Sequence, residues 1–291
     1  MNAVVNTVGV ATETARSSAR SLGFIARSAV RCLLLELETW PKPGLVSHID
    51  SGSHDDMDAD TFRNSAWAIE PYLHALARAG AAGSTMSALR RIGLDAEIAM
   101  LAATSGINTH RGAIFGMGLL CAAAGARAAG RADPRLSLGE IVSTLWGENI
   151  LDGPVLLRSH GSGARLRFGA GGARMEAAQG FPSVYEVGLP AYRRATSDLP
   201  LDPEAARVHA CFALIAFLED TNLLHRGGLA GLRFARHAAV GFLVDGGVGQ
   251  PDWRDRARSI HERFIERRLS PGGSADLLAL TLFVDEHEGR L

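Results

Sequence analysis

An excess of charge of either sign is the first thing missing from this 291-residue chain. Its 30 basic and 31 acidic side chains leave a formal net charge of -1. There is no global field to draw in DNA, RNA or an anionic membrane, so any phosphate must be met by local groups. Cysteine is scarce: Cys32, Cys121 and Cys211 lie far apart in apolar stretches and form no C-x-x-C. An odd number cannot all pair internally, which reads as reduced core thiols in a cytoplasmic protein, and none adjoins a candidate base. Long apolar runs are missing as well. Met1 to Ala19 lacks the unbroken apolar stretch of a signal peptide, and no segment reaches the ~20 residues that span a bilayer. The longest, Gly112 to Ala126, has the length of a buried helix and is heavy in Gly and Ala. Lysine is thin beside arginine, so Lys42 stands out. Strand alternation long enough to build a sheet is absent too.

What is present is helical periodicity almost throughout. Hydrophobic residues make up 47% and charged residues 21%, a soluble, globular composition with ample length for a core. Leu22, Ile25, Ala29, Leu33 and Leu37 share one face of a first helix, from about Thr14 to Glu38, which Pro41 and Pro43 stop. Further helices are expected from Asp58 or Asp60 to about Ala79, over Leu89–Thr104, from Ala113 to about Ala129, and from a Ser137 cap to Asn149. The pattern returns over Ser183–Arg194, Pro203–Glu219, Leu229–Val244, Asp252–Arg268 and Ser274–Glu286. Between Asp152 and Phe181 the chain is glycine-rich and non-periodic. A loop this long with interleaved Leu156, Leu157, Leu166 and Phe168 is expected to be ordered and functional, with room for a short hairpin around 155–170. The expected architecture is all-α: a flexible segment over 1–15, then one multi-helix domain over 16–291 with its sites on interhelical loops.

Six polar constellations fall at the junctions between these helices. Pro41-Lys42-Pro43-Gly44 sets an ammonium in a stiffened loop where glycine allows close backbone approach. His54-Asp55-Asp56-Met57-Asp58 gathers hard oxygen ligands of the kind Mg²⁺ takes, although helix capping alone would explain Asp58. In Asn108-Thr109-His110-Arg111-Gly112, five ligand-capable residues meet at a helix start. His110 can bind phosphate or act in proton transfer, and Arg111 adds a fixed cation. In the central loop, Ser159-His160-Gly161 is no nucleophile elbow, and Arg174 with Glu176 is either a ligand-binding pair or a surface ion pair. Glu219-Asp220-Thr221-Asn222, followed by His225-Arg226-Gly227-Gly228, places two acids at what reads as a helix C-terminus. The dipole disfavours acids there, so a metal or a ribose hydroxyl is the expected reason. Ser270-Pro271-Gly272-Gly273-Ser274-Ala275-Asp276 has the form of an anion nest at a helix start. Glycine, cations and helix N-termini at widely spaced junctions point to a nucleotide enzyme.

In this order, the six pieces resemble the triphosphoribosyl-dephospho-CoA synthases, over about Ala29 to Glu286. The most specific parts are Pro41-Lys42-Pro43-Gly44-Leu45-Val46, Asn108-Thr109-His110-Arg111-Gly112, Asp220-Thr221-Asn222 with Arg226-Gly227-Gly228, and Ser270-Pro271-Gly272-Gly273-Ser274-Ala275-Asp276-Leu277. The resemblance implies that ATP and 3′-dephospho-CoA are joined with release of adenine and that a separate transferase places the product on an acyl carrier protein. The product is the prosthetic-group precursor of malonate decarboxylase or citrate lyase. Arg111 and Met175 lean toward the malonate decarboxylase branch. On this reading Asp220, His110 and Asp56 are the catalytic candidates. Lys42, Gly44, Asn108, Thr109, Arg111, Gly112, His160, Arg174, Glu176, Asn222, Arg226, Gly227, Gly272, Gly273 and Ser274 bind the nucleotides. Asp56, Asp58, Asp220 and Asp276 hold Mg²⁺. Neither nucleic acid nor membrane is expected as a partner, and the small-residue helices suggest a homodimer. The runner-up is an all-α, metal-dependent nucleotide phosphohydrolase. A nucleotide-binding module without catalysis comes third, because binding alone rarely needs several acids facing phosphates.

Overall fold

The computed structural model describes residues 21–153 and 172–289. The expected N-terminal segment 1–15, the hairpin over 155–170 and His160 lie outside the described residues. Among those described, every regular element is a helix. Helix α1 covers residues 21–37. It is followed by α2 (Ala59–Ala81), α3 (Met86–Ala103), α4 (Arg111–Ala128), α5 (Leu138–Leu151) and α6 (Gly172–Ala178). A π-helical turn (Ser183–Gly188) leads into α7 (Leu189–Asp198), and α8 (Pro203–Phe217), α9 (Thr221–Val244), α10 (Trp253–Glu266) and α11 (Gly272–Glu288) complete the order.

The helix starts follow from local chemistry. Asp58 accepts the Thr61 N–H while the Thr61 side chain reaches back to the Asp58 backbone, a reciprocal cap on α2. Ser137 and Glu140 do the same for α5. Asp202 caps α8, with Pro203 in its first turn, where the missing N–H costs nothing.

Two boundaries correct the sequence reading. Helix α8 ends at Phe217, and Asp220 is the N-cap of α9. The acid therefore sits at a helix N-terminus, where the dipole favours it, and the argument from a disfavoured C-terminal acid falls. The reading also began the next helix at Leu229. In the structure α9 begins at Thr221, and Gly228 breaks it from within at φ 60°, ψ -160°, a conformation for which only glycine is suited. The glycine-rich stretch ends in α6, whose seven residues are too few to show a helical period.

Packing centres on α4, which is buried on every side from Ala113 to Ala126 apart from Phe115. Helices α2 and α3 cover one flank, and α11 lies along another. Helix α11 in turn contacts α7 and α8, with α9 outside α8. The small residues of α4 make these close crossings possible. A Cβ on Gly125 would collide with the Ala77 carbonyl of α2, and one on Gly116 would lie 2.6 Å from Leu280 of α11. These residues are thus engaged inside the protomer, and any dimer must use other faces. No helix of the described residues is long and apolar enough to cross a membrane.

Gly125→Ala is expected to destabilise the fold by about 3 kcal/mol, because backbone must move to admit the methyl group. Gly93→Ala is the control. Nothing lies within 4 Å of its added Cβ, and a gain of about 0.5–1 kcal/mol is expected. Urea unfolding of the two variants measures both.

Candidate active site

Three helix N-termini meet at one end of the bundle: those of α4, α9 and α11. Asp220 joins two of them. Its Oδ1 accepts the Asn222 and Leu223 N–H groups at the start of α9, at 2.9 and 3.4 Å. Its Oδ2 accepts the Ser274 N–H at 2.9 Å and the Ser274 hydroxyl at 3.1 Å, at the start of α11. Four donors occupy a carboxylate with about four lone-pair positions. The side chain is 1% exposed. Burial raises its pKa, and the Ser274, Asn222 and Leu223 bonds work against that rise.

Asp276 joins α11 to α4. Its carboxyl accepts the Ala113 N–H and fills the space above Gly112, where a Cβ would overlap Oδ2. Gly112 is thus required by the approach of an acid. The Asp276 carboxyl is held well above the usual carboxylate range, first by burial and then by the negative charges of Glu36 and Asp220. Unlike Asp220, it is only half-buried, on the first turn of α11.

Glu36 belongs to α1, and its partner is Lys42, the one lysine of the sequence. The ammonium is 0% exposed. It donates to the Glu36 carboxylate at 2.5 Å and to the Glu36 carbonyl at 2.7 Å. The loop carrying it is locked from behind by His261 of α10. The His261 Nδ1 lies 2.5 Å from the Lys42 carbonyl, and its Nε2 lies 3.2 Å from Asp50. Burial lowers the His261 pKa, but the Asp50 and Lys42 hydrogen bonds outweigh it and raise the value. Gly44 is held against the α10–α11 turn, where any Cβ would collide with the Leu269 carbonyl.

His110 lies next to this group at the head of α4. It is 4% exposed. Burial, and then the Lys42 charge, lower its pKa to about 3, so the ring is neutral at physiological pH. Its Nδ1 lies 2.6 Å from the Ser65 hydroxyl of α2, which also contacts Thr109 Oγ1 at 2.7 Å. Phe62 presents its edge to the ring. Asn108 accepts the Arg111 N–H at 3.2 Å, and the Arg111 guanidinium pairs with Glu97 of α3 at 2.8 Å.

A second cluster adjoins the first through Ser270. His54 Nε2 lies 2.9 Å from Ser270 Oγ, and Arg226 lies 3.1 Å from His54 Nδ1 while holding the Ser53 and Arg268 carbonyls. Asp56 is exposed and 3.6 Å from His54. Gly272 and Gly273 pack against Asn222 and Asp220, with no space for a side chain at Gly272. Gly227 packs under Leu269.

A match to the family described as ATP:dephospho-CoA triphosphoribosyl transferase runs over residues 23–291. The chain belongs to this family. Similar relatives are each called a probable 2-(5''-triphosphoribosyl)-3'-dephosphocoenzyme-A synthase. The one from Azotobacter vinelandii is 40% identical over 268 residues, covering 90% of this chain and 91% of its own. That from Pseudomonas putida is 37% identical, covering 90% and 94%. That from Acinetobacter calcoaceticus is 37% identical, covering 94% and 93%. No solved structure matches.

Set against this transferase family, the expected site residues divide. The four junction motifs that carry the resemblance converge. Arg174 turns instead to the carbonyls of Ile150, Leu151 and Gly153 at the end of α5, and Glu176 to the backbone and hydroxyl of Ser183. Asp58 is exposed, and its bonds are those of the α2 cap. Among the described residues, no group of three or more His, Cys, Asp and Glu is arranged to hold a metal ion. Of the four acids assigned to Mg²⁺, Asp220 has four donors, Asp58 caps α2, Asp56 is exposed and Asp276 faces Gly112 and Ala113. Two hollows, of about 440 and 380 Å³, lie elsewhere, along α1.

Glu36 and Ser65 were missed. Both fall on buried stripes already visible in the sequence. Glu36 is seven residues after Ala29 and three after Leu33, and Ser65 is three after Phe62 and four before Ile69. A polar residue on such a stripe is the available signal.

Asp220→Asn keeps the size of the side chain but sets an NH₂ donor against donors. A loss of about 2–4 kcal/mol is expected, more than for one neutral hydrogen bond because the acceptor is charged. Thermal and urea unfolding measure it.

Proposed function

We propose that the chain transfers the triphosphoribosyl group of ATP to 3′-dephospho-CoA and releases adenine. Family membership and the names of the relatives support the reaction. The structural observation that carries the reading is the half-buried Asp276 carboxyl where the ends of α4 and α11 meet, backed by Glu36 and Asp220. The bond from ribose C1′ to adenine N9 breaks, and a bond from the 2′-oxygen of dephospho-CoA to that C1′ forms. The attacking hydroxyl gives its proton to Asp276, adenine takes one proton from solvent as it leaves, and Asp276 then returns its own to solvent, so that no net proton is gained or lost. The triphosphate stays on the product. Developing positive charge at C1′ is stabilised by the buried carboxylates. A raised carboxyl pKa suits a group that must take and return a proton near neutral pH.

Arg226, exposed, and Arg111, half-buried and paired with Glu97, are proposed to meet the phosphates at the edge of the site. The N–H groups around Asn108, Thr109, Gly272 and Gly273 would assist at the helix starts, while those of Asn222 and Ser274 are held by Asp220. Lys42 serves as a buried, fixed positive charge. Asp220, expected to be catalytic, is proposed instead as the clamp that sets Ser274 and Asp276. Mg²⁺ would arrive on the triphosphate with its own waters, as suits an ion that dehydrates reluctantly. The product would pass in the cytoplasm to a transferase acting on an acyl carrier protein. Arg111 and Met175 favour the malonate decarboxylase branch.

With ATP, dephospho-CoA and Mg²⁺ supplied together, free adenine is expected, along with a product carrying both masses less adenine. Phosphate without adenine would replace this reading with the phosphohydrolase. Asp276→Asn is expected to lower kcat by about 10²–10⁴-fold. In the parent protein, kcat should fall as pH drops through the raised Asp276 value, above the ordinary aspartate pKa of about 3.9. The stability sign is opposite. A carboxyl raised on folding contributes stability below its unfolded pKa, and that stability is lost as pH rises through the folded value. Asp276→Asn should therefore raise Tm at neutral pH, by about 2–4 °C.

A further inference from the structure

We infer that Ser65 is a positioning residue that holds His110 as the Nε2–H tautomer, so that its one ring proton is offered to an acceptor atom of the nucleotide. The inference rests on the proposed site, in which His110 meets substrate.

The argument is a count of protons. Thr109 Oγ1, Ser65 Oγ and His110 Nδ1 form a chain, with contacts of 2.7 and 2.6 Å. Two hydroxyl protons and one imidazole proton must be distributed along it. If Thr109 donates to Ser65 and Ser65 donates to Nδ1, both hydroxyl protons are bound and the chain ends on a lone pair. The ring proton is then on Nε2. The opposite direction, Nδ1–H donating to Ser65 and Ser65 to Thr109, is not the one the structure shows, since the Thr109 hydroxyl donates to Ser65. Ser65 is 0% exposed, so no water can supply it with another donor or acceptor. A protonated ring, donating from both nitrogens, is opposed by burial and by the nearby Lys42 charge. The ring cannot tilt freely to escape the arrangement. Phe62 meets it at 5.0 Å between centroids, and its backbone N–H is held by Met100 Sδ at 3.2 Å.

Ser65 touches no reacting atom. It works through the imidazole, whose free edge is then a neutral donor. Such a donor can serve either the departing purine or a phosphate oxygen, and the two make different kinetic demands. A bond formed as the purine leaves lowers the barrier alone and appears in kcat. A bond to phosphate is present in the ground state and appears in KM.

The test uses the full chain labelled with ¹⁵N-histidine. The His110 signals are identified by their loss in His110→Gln. The wild-type spectrum is expected to show a protonated Nε2 and an unprotonated Nδ1. A protonated Nδ1 would overturn the inference, and this measurement needs no Ser65 variant to fold. Ser65→Ala should lose the preference for that tautomer, and Ser65→Thr, which keeps the hydroxyl, should restore it. An unchanged Nε2–H tautomer in Ser65→Ala would also overturn the inference. In adenine release, Ser65→Ala should lose about 10–100-fold, as when a partner that orients a working imidazole is removed. A fall in kcat identifies the purine as acceptor, and a rise in KM identifies the phosphate. If His110→Gln leaves adenine release intact while Ser65 still sets the tautomer, Ser65 keeps its hold on His110 and the proposed site fails.

Discussion

The four hydrogen bonds of the Asp220 carboxylate hold the candidate active site together. They tie the first turn of α9 to the first turn of α11 through one side chain. Everything else at that end is placed relative to them. Ser274 fixes the start of α11, which places Asp276 two residues on against Gly112 and the start of α4. A charge without water is tolerable here because every acceptor position has a donor and two helix dipoles favour it. The same four bonds leave Asp220 no open lone pair for a reacting hydroxyl.

The neighbouring acids are less well satisfied. Asp276 meets the negative charges of Glu36 and Asp220, Glu36 has a single ammonium, Lys42, and burial raises the pKa of both Glu36 and Asp276. The fold keeps an electrostatic tension at the point where a transient positive charge would relieve it. Other helices use acids and small residues for the fold itself. Their acids cap N-termini, as at Asp58 and Glu140, and their small residues close helix crossings.

The helical architecture was legible because periodicity reports burial directly. Proline and capping residues also placed most boundaries to within a few residues. The site was legible as a set of motifs, since glycines and polar groups at helix junctions have few structural excuses. The roles within it were harder to read. Asp220 looked like an acid at a helix C-terminus because the break at Gly228 disguised the true start of α9. Lys42 looked like a loop ammonium, since nothing in its own segment announces Glu36 on the preceding helix. Asp58 looked like a metal ligand as well as a cap, and the cap describes its bonds. Partners distant in sequence decide such roles, and a one-dimensional pattern does not contain them. Ser65 and Glu36 show the limit most clearly, each a single polar letter on an otherwise apolar face.

The isolation of Lys42 has a practical side. The chain carries no other ammonium side chain, since all its remaining basic charge is guanidinium or imidazole. Lys42 is completely enclosed in the fold and bonded to Glu36. Reagents that modify lysine amines therefore find no side-chain target on the closed protein. Whatever lysine modification remains requires an opening that exposes Lys42, and with a reagent faster than reclosing it gives the rate of that opening. The molecule thus contains its own clock for the breathing of the site, with a single hand.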